Sequence, residues 1–434
     1  MNLRPHQSRA LEAMKGANKG KILIPTGGGK TLIAINHCRE TLSQSTRNRV
    51  AVVVAPRILL ATQLSEEFIT GLNGLEYAVG HVHSGETYHW SSTNADNIAA
   101  FTQLKDTLNC HVILFTTYHS LHRIVESGID IDIMYCDEAH NATRKDFFLS
   151  VESASNRAEQ SFYFTATPRN TRDAHGNGMN NAKVFGDVLI TVPARELIES
   201  GSIIPPTVVP CEVDGLRNKR FAAESDGDTL ISILDQLDES KASKVLVAVP
   251  STKVLWNMIT QYDTLNQLEE RGYEFLHITS KHGAYVNRTK VNREKFFNTL
   301  NEYGKDPNKK FVLFHYSILS EGMNVPGLTH CILLRNLPLI ELAQTVGRVI
   351  RLDKRDSDRI QNGNIPAGAC QFYHKPTGFV TVPVYKNHGK RAALKLQNVV
   401  NTIFKEGKPV EALTNLSMPF IIEIKLGKEQ LKLS

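Results

Sequence analysis

The feature that most constrains this chain is an alternation of two periodicities, and it occurs twice. Lys21-Ile22-Leu23-Ile24, Val50 to Ala55, Val112 to Thr116, Ile133 to Cys136 and Phe162 to Phe164 are short apolar runs, rich in β-branched and aromatic residues and bounded by polar or turn residues. Strands of a parallel sheet are covered on both faces, so they read as continuous apolar runs rather than alternating ones. Between them, segments such as Thr31 to Leu42 and Leu59 to Phe68 carry apolar residues at helical spacing. Strand–helix–strand repetition of this kind predicts a doubly wound parallel α/β sheet. The pattern breaks at Ile203-Ile204-Pro205-Pro206 and the polar stretch Asp214 to Asp228. It then restarts with Val245 to Val249, Phe275 to Ile278, Phe311 to Phe314 and Cys331 to Leu334. A first domain over 1–200, a connection over 201–228, a second domain over 229–375 and an extension over 376–434 follow.

At 434 residues, each half is long enough to bury its own core. Hydrophobic residues at 41% and charged residues at 22% place the chain among globular proteins. No apolar run reaches about 18 residues, so no membrane span is expected. The six cysteines lie far apart with no Cys-x-x-Cys pair, which signals neither zinc nor a redox couple. They read as buried apolar residues of a protein in a reducing, cytoplasmic compartment.

Net charge is +6, and its placement is uneven. From Lys386 to Ser434 nine Lys/Arg face four acids, so this extension carries +5 and the remaining chain only +1. A basic tail suggests a polyanionic partner. Within it, Leu396, Val399, Val400 and Ile403 have helical spacing that would pack on the second domain, and Met418 to Ile424 reads as an added edge strand. The two tryptophans, Trp90 and Trp256, are isolated in the sequence.

The motif with most chemistry is Ile24-Pro25-Thr26-Gly27-Gly28-Gly29-Lys30-Thr31, between a strand and a helix. Glycines let backbone N–H groups approach phosphate oxygens closely, and the helix N-terminus adds partial positive charge. Lys30 can reach β- and γ-phosphates, and the Thr31 hydroxyl can ligate Mg²⁺. Ile24 stands where such loops usually begin with glycine. Downstream, Asp137-Glu138-Ala139-His140 closes the strand Ile133 to Cys136, at the edge where open α/β sheets hold nucleotides. Asp137 would hold Mg²⁺ and Glu138 would act as general base toward an attacking water.

From Leu3 to about Arg351 the chain resembles superfamily 2 helicases and translocases, and Asp137-Glu138-Ala139-His140 spells the signature of the DEAH class. The resemblance implies two tandem RecA-like domains with an ATP-binding cleft between them, plus a small basic C-terminal extension. It implies ATP and Mg²⁺ as ligands. Gln7 of Leu3-Arg4-Pro5-His6-Gln7 would pair with the adenine edge, with Arg4 nearby. Pro56 and Arg57, and later Thr116, Thr117 and Tyr118, would contact nucleic-acid phosphates without reading bases. Thr165-Ala166-Thr167-Pro168 looks like the motif that couples hydrolysis to movement. Gly322 and Asn324, in Ser320 to Pro326, look like a nucleotide contact, although the family often has Asp at position 324. Gln344-Thr345-Val346-Gly347-Arg348-Val349-Ile350-Arg351 is similar to the sixth motif, with Arg348 and Arg351 on one helical face as arginine fingers. His140 and Gln344 complete the catalytic set implied.

In these residues the chain looks most like DNA translocases of repair, recombination and restriction, and in size like phage-type branch-migration helicases. The expectation is an ATP-dependent DNA helicase or translocase acting as a monomer on branched or duplex DNA, in the cytoplasm or, if of phage origin, the host cytoplasm. An RNA helicase and the motor subunit of a restriction complex are the alternatives. A fork-binding element would lie in Gly71 to Asn109 or in the basic extension.

Overall fold

The computed structural model of the protein describes residues 3–214, 217–237, 242–279, 281–316, 325–385, 390–406, 422–426 and 429–433. The chain divides into two compact units, Met1–Val192 and Pro193–Ser434.

In the first unit the strands are β1 (Lys19–Leu23), β2 (Val50–Ala55), β3 (Tyr77–Val82), β4 (Trp90–Ser91), β5 (His111–Thr117), β6 (Ile131–Cys136), β7 (Ala158–Thr165) and β8 (Asp187–Thr191). They form one sheet in the order β4-β3-β5-β2-β6-β7-β1-β8, and every pairing is parallel. All six residues of β2 are buried, which is why its sequence is unbroken Val and Ala. Val52, Leu114, Met134 and Tyr163 from four adjacent strands share one core with Phe101 and Phe185. Burying each such side chain is worth about 1.5–3 kcal/mol. β3 and β8 escape the sequence reading for different reasons. Gly80 and His81 interrupt the apolar run of β3, and β8 is an edge strand with no fully buried residue.

In the second unit the strands are β9 (Pro206–Glu212), β10 (Lys244–Ala248), β11 (Glu274–Thr279), β12 (Gly283–Val286), β13 (Thr289–Val291), β14 (Phe311–His315), β15 (His330–Leu333) and β16 (Gly378–Val384). Their order is β13-β12-β11-β14-β10-β15-β16-β9. The pairings are parallel except β11–β12 and β12–β13, an antiparallel hairpin that extends one edge.

Here the structure differs from the expected boundaries. The stretch 201–228 is not a free connection. It supplies edge strand β9, which pairs with β16, and the start of the helix Ala222–Leu234. Pro206 and Pro210 disguise β9, yet proline is tolerated on an edge because only one side of the strand needs its N–H groups. Pro383 in β16 lies beyond the residues that pair with β15, so it leaves no gap in that ladder.

The extension forms the helix Lys390–Val400, ending in a π-turn over Asn401–Lys405. Leu396, Val399, Val400 and Ile403 are buried, and Lys395 Nζ donates to Leu337 O at 3.3 Å. The strand expected over Met418 to Ile424 begins only at Ile422 among the described residues. Ile422–Leu426 pairs antiparallel with Glu429–Leu433 in a separate two-stranded ribbon rather than on the main sheet. None of the cysteines is in a disulfide, and five of the six are buried.

Candidate nucleotide site

The phosphate loop leaves β1 and enters the helix Lys30–Ser43. Gly27 and Gly29 have φ of 88° and 79°, in the left-handed region that glycine enters without strain. Gly29 is the N-cap of the helix and offers no side chain, so the first N–H groups of that helix receive no side-chain cap. Lys30 Nζ donates to Ile24 O at 3.3 Å, across the base of the loop. Lys30, Thr31 and Asp137 line one pocket, backed by Phe68, Tyr135 and Phe164. Within the loop itself Pro25 and Thr26 are half-buried and Gly28 is buried.

The structure gives Gln7 a different position from the one expected. It is 5% exposed. Its Oε1 accepts from Arg4 N at 2.9 Å, and its Nε2 donates to Gly28 O at 3.3 Å. His6 Nε2 also reaches Gly28 O at 2.9 Å. Both ends of the amide therefore point into the protein, bracing the loop rather than presenting an edge to a base. A Cβ at Gly29 would collide with the Gln7 amide, a second reason for glycine there.

Asp137 and Glu138 follow β6. Asp137 N donates to Val54 O at 2.9 Å, and Tyr118 Oη donates to Asp137 O at 2.8 Å, which fixes the backbone of the acidic pair. Burial and the adjacent Glu138 carboxylate push the Asp137 carboxyl well above its usual range, while Lys30 draws it back. A carboxylate so short of positive charge fits a divalent cation. Glu138 sits at φ 44°, a left-handed conformation that costs a non-glycine residue about 1 kcal/mol or more. Asn141 holds it there, its N and Nδ2 donating to Glu138 O at 3.0 and 3.1 Å. Glu138 Oε2 is buried and accepts no hydrogen bond among the described residues, a group poised for a water.

His140 is buried, with Nδ1 at 3.1 Å from Thr165 Oγ1 and 3.5 Å from Glu138 Oε2. Thr165 Oγ1 in turn accepts from Thr167 N at 3.1 Å. The acidic motif and the Thr165–Pro168 motif are thus joined by one polar chain. Thr165 belongs to the coupling motif read in the sequence, but its contact with His140, and the part Asn141 plays at Glu138, were not expected. Their role depends on juxtaposing β6 and β7, which no local pattern reveals.

Two of the expected phosphate contacts are turned inward. Thr116 is fully buried and donates to Val82 O at 2.8 Å, and Tyr118 is 1% exposed and committed to Asp137 O. Thr117 is also buried, with Oγ1 3.4 Å from Ser120 Oγ. At this rim Arg57 is exposed and Pro56 half-buried.

In the second unit, Gln344 and Arg348 lie buried on the helix Leu339–Val349. Arg348 is close enough to His315, at the end of β14, to help burial hold that imidazole at about 3. Arg351 is not on the same helical face as Arg348, because the helix ends at Val349 and Ile350 is its C-cap. Arg351 instead forms an isolated antiparallel bridge with Ile203, and its carbonyl accepts from Lys375 Nζ at 2.9 Å. Gly322 and Asn324 lie outside the described residues. Among the described residues no group of three or more His, Cys, Asp or Glu is gathered as a metal site would be, and no helix is long and apolar enough to cross a membrane.

A glycine turn on the β1-to-helix crossing, with a carboxylate pair at the end of β6 two strands away in the sheet, has the layout of a P-loop nucleotide site on a parallel α/β sheet. Residues 1–170 match the family described as "Type III restriction enzyme, res subunit", and residues 228–353 match "Helicase conserved C-terminal domain". The two matches, in this order, indicate a superfamily 2 helicase, a class of ATP-hydrolysing enzymes. Among curated proteins, the chain is 26% identical over 218 residues to the endonuclease subunit of a type I restriction enzyme of Staphylococcus saprophyticus, covering 47% of this chain and 21% of that one. A corresponding subunit of Staphylococcus aureus strain COL is 26% identical over 239 residues, covering 52% and 24%. The chain thus spans less than a quarter of the length of these relatives. Among solved structures, the Type ISP restriction-modification enzyme LlaBIII bound to DNA superposes with TM-score 0.70 at 14% identity, covering 96% of this chain and 31% of that one. A nuclease-deletion mutant of the Type ISP enzyme LlaGI gives 0.61 at 17%, covering 92% and 28%. These likenesses establish the fold as two tandem RecA-like domains.

Proposed function

We propose that this chain is an ATP-driven motor on DNA, with the glycine loop, Lys30, Asp137 and Glu138 as the hydrolytic half-site. The observation that carries the reading is the pocket that gathers Lys30, Thr31 and Asp137 beside a buried Glu138 carboxylate oxygen that accepts no hydrogen bond among the described residues. Backbone N–H groups of the loop and Lys30 would bind the phosphates, and Thr31 and Asp137 would hold Mg²⁺. That ion would neutralise charge developing between the β- and γ-phosphates. Glu138 would orient and deprotonate the water, and the His140–Thr165–Thr167 chain would report the change at Glu138 to the following loop. Arg348 and Arg351 would supply positive charge to the γ-phosphate, an effect worth about 10³–10⁵ in rate. Each cycle of closure and release would advance the protein along DNA.

The named relatives, subunits of restriction enzymes and restriction-modification enzymes seen with DNA, favour the motor of a restriction complex acting on DNA. The narrower reading, remodelling of forks and four-way junctions, rests on the motif resemblance alone. Both are tested by ATPase assays with duplex DNA, single-stranded DNA and RNA, followed by triplex displacement and unwinding of a four-way junction. Stimulation by duplex DNA with triplex displacement is expected. Stimulation by RNA alone would overturn the DNA reading, and no stimulation by any nucleic acid would overturn the motor.

A further inference from the structure

Trp256, isolated in the sequence, is not isolated in the fold. It lies on the helix Thr252–Thr260, which follows β10, and its ring stacks on His282 at 4.0 Å and 4°. His282 lies just past the carboxyl end of β11, where its N donates to Thr279 Oγ1 at 3.0 Å. One strand further out, Tyr285 of β12 stacks on His277 of β11 at 4.8 Å and meets Trp256 edge-on at 5.9 Å. The register puts His277, Tyr285 and Lys290 directly opposite one another on three adjacent strands, so they share one face. Trp256, His282 and Tyr285 are each partly exposed, while Lys281 and Lys290 are exposed.

The charge of this element is as distinctive as its rings. Residues 281–295 contain five Lys/Arg and one acid, a net of +4 in a chain whose total is +6. Nearby acids are already engaged, Glu269 with Arg288 at 3.0 Å and Glu274 with Lys309 at 2.6 Å. Lys281 and Lys290 make no ion pair among the described residues. Burial, then these two ammoniums, hold the His282 pKa below its ordinary value. Both effects favour the uncharged ring that stacks on Trp256. Rings at base-stacking height beside uncompensated ammoniums form the combination that binds a single strand without reading sequence.

We infer that the face formed by Trp256, His282, Tyr285 and Lys290 holds a single nucleic-acid strand, with bases against the rings and phosphates against Lys281 and Lys290. The inference deepens the motor reading and rests on it, since it assigns the second unit a strand contact of its own.

The test compares wild type, Lys281→Ala/Lys290→Ala, Trp256→Ala and Trp256→Phe for binding labelled oligo-dT across a salt series and for DNA-stimulated ATPase. The double lysine variant should weaken binding and lower the log–log salt slope by about 1.4, the share of two phosphates on a single strand. Trp256→Ala should weaken binding by about 5- to 100-fold, the range of one lost base stack, and Trp256→Phe should recover most of it. The lysines are exposed, so their removal leaves the fold intact even if Trp256→Ala does not. An unchanged affinity and slope in the lysine variant, with wild-type ATPase still stimulated by DNA, would overturn this inference and spare the motor. A wild type that neither binds oligo-dT nor responds to DNA would overturn both.

Discussion

Each unit carries a crossing from a buried parallel strand into a helix, and the two crossings are built oppositely. In the first unit β1 leads through three glycines to the helix Lys30–Ser43, whose N-cap is a left-handed Gly29 with no side chain to satisfy the helix start. In the second unit β10 leads through Val249-Pro250 to the helix Thr252–Thr260, where Ser251 caps the helix by accepting from Val254 N at 3.1 Å. One helix start is closed by its own chain. The other has no side-chain cap, and Lys30 and two carboxylates lie about it. The same topology thus carries a capped helix start in one unit and an uncapped one in the other, and the proposed chemistry falls at the uncapped one.

The sharpest way to break that contrast is to remove the chemistry and keep the opening. Glu138→Gln should lower kcat by about 10²–10⁴ while ATP binding survives, read by single-turnover kinetics and nucleotide titration. Normal turnover would show that another group activates the water. Gly29→Ala imposes a left-handed alanine and a collision with Gln7, and it should abolish measurable nucleotide binding by calorimetry. Gln7→Ala removes the brace on Gly28 O and should weaken ATP binding about tenfold, the scale of one hydrogen bond to a critical loop. Because Gln7 faces the loop rather than the base, ATP and GTP should be affected equally. A loss confined to ATP would restore the adenine contact.

Two smaller effects belong to the second unit. His315 is buried and held at about 3, by burial first and then by Arg348 and Arg335. Between the ordinary histidine value near 6.5 and about 3, the unfolded chain takes up a proton that the folded one refuses. Stability therefore falls as pH falls through that window, with a slope of about 1.4 kcal/mol per pH unit. His315→Gln should flatten the acid limb of denaturant-midpoint measurements between pH 6.5 and 4. Ser251→Ala should cost about 1 kcal/mol in the same measurement at neutral pH and leave nucleotide affinity unchanged, since that hydroxyl is committed to its own helix.

What the sequence made legible follows from where its signals are local. The buried strands, the glycine loop and the acidic pair each lie within a few consecutive residues, and all appear where expected. The misplaced features depend on partners distant in the chain. β9 hid behind Pro206 and Pro210 because only its edge position makes them tolerable. Thr116 and Tyr118 read as surface polar groups but fill the core beside β3 and β6. Arg351 seemed to continue the helix of Arg348 because spacing cannot show that the helix stops at Val349. Trp256 seemed alone because its ring partners are on a hairpin about 26–29 residues downstream, in contact only through the sheet.

The bridge between Ile203 and Arg351 has a consequence for engineering this chain. Ile204 N also donates to Ile350 O at 2.9 Å, so the stretch just inside the second unit is stitched to the backbone that carries Arg351. That stretch is a brace as much as a tether. Lengthening it, or swapping it for a flexible glycine–serine insert, would release the backbone of Ile350 and Arg351 from its partner strand.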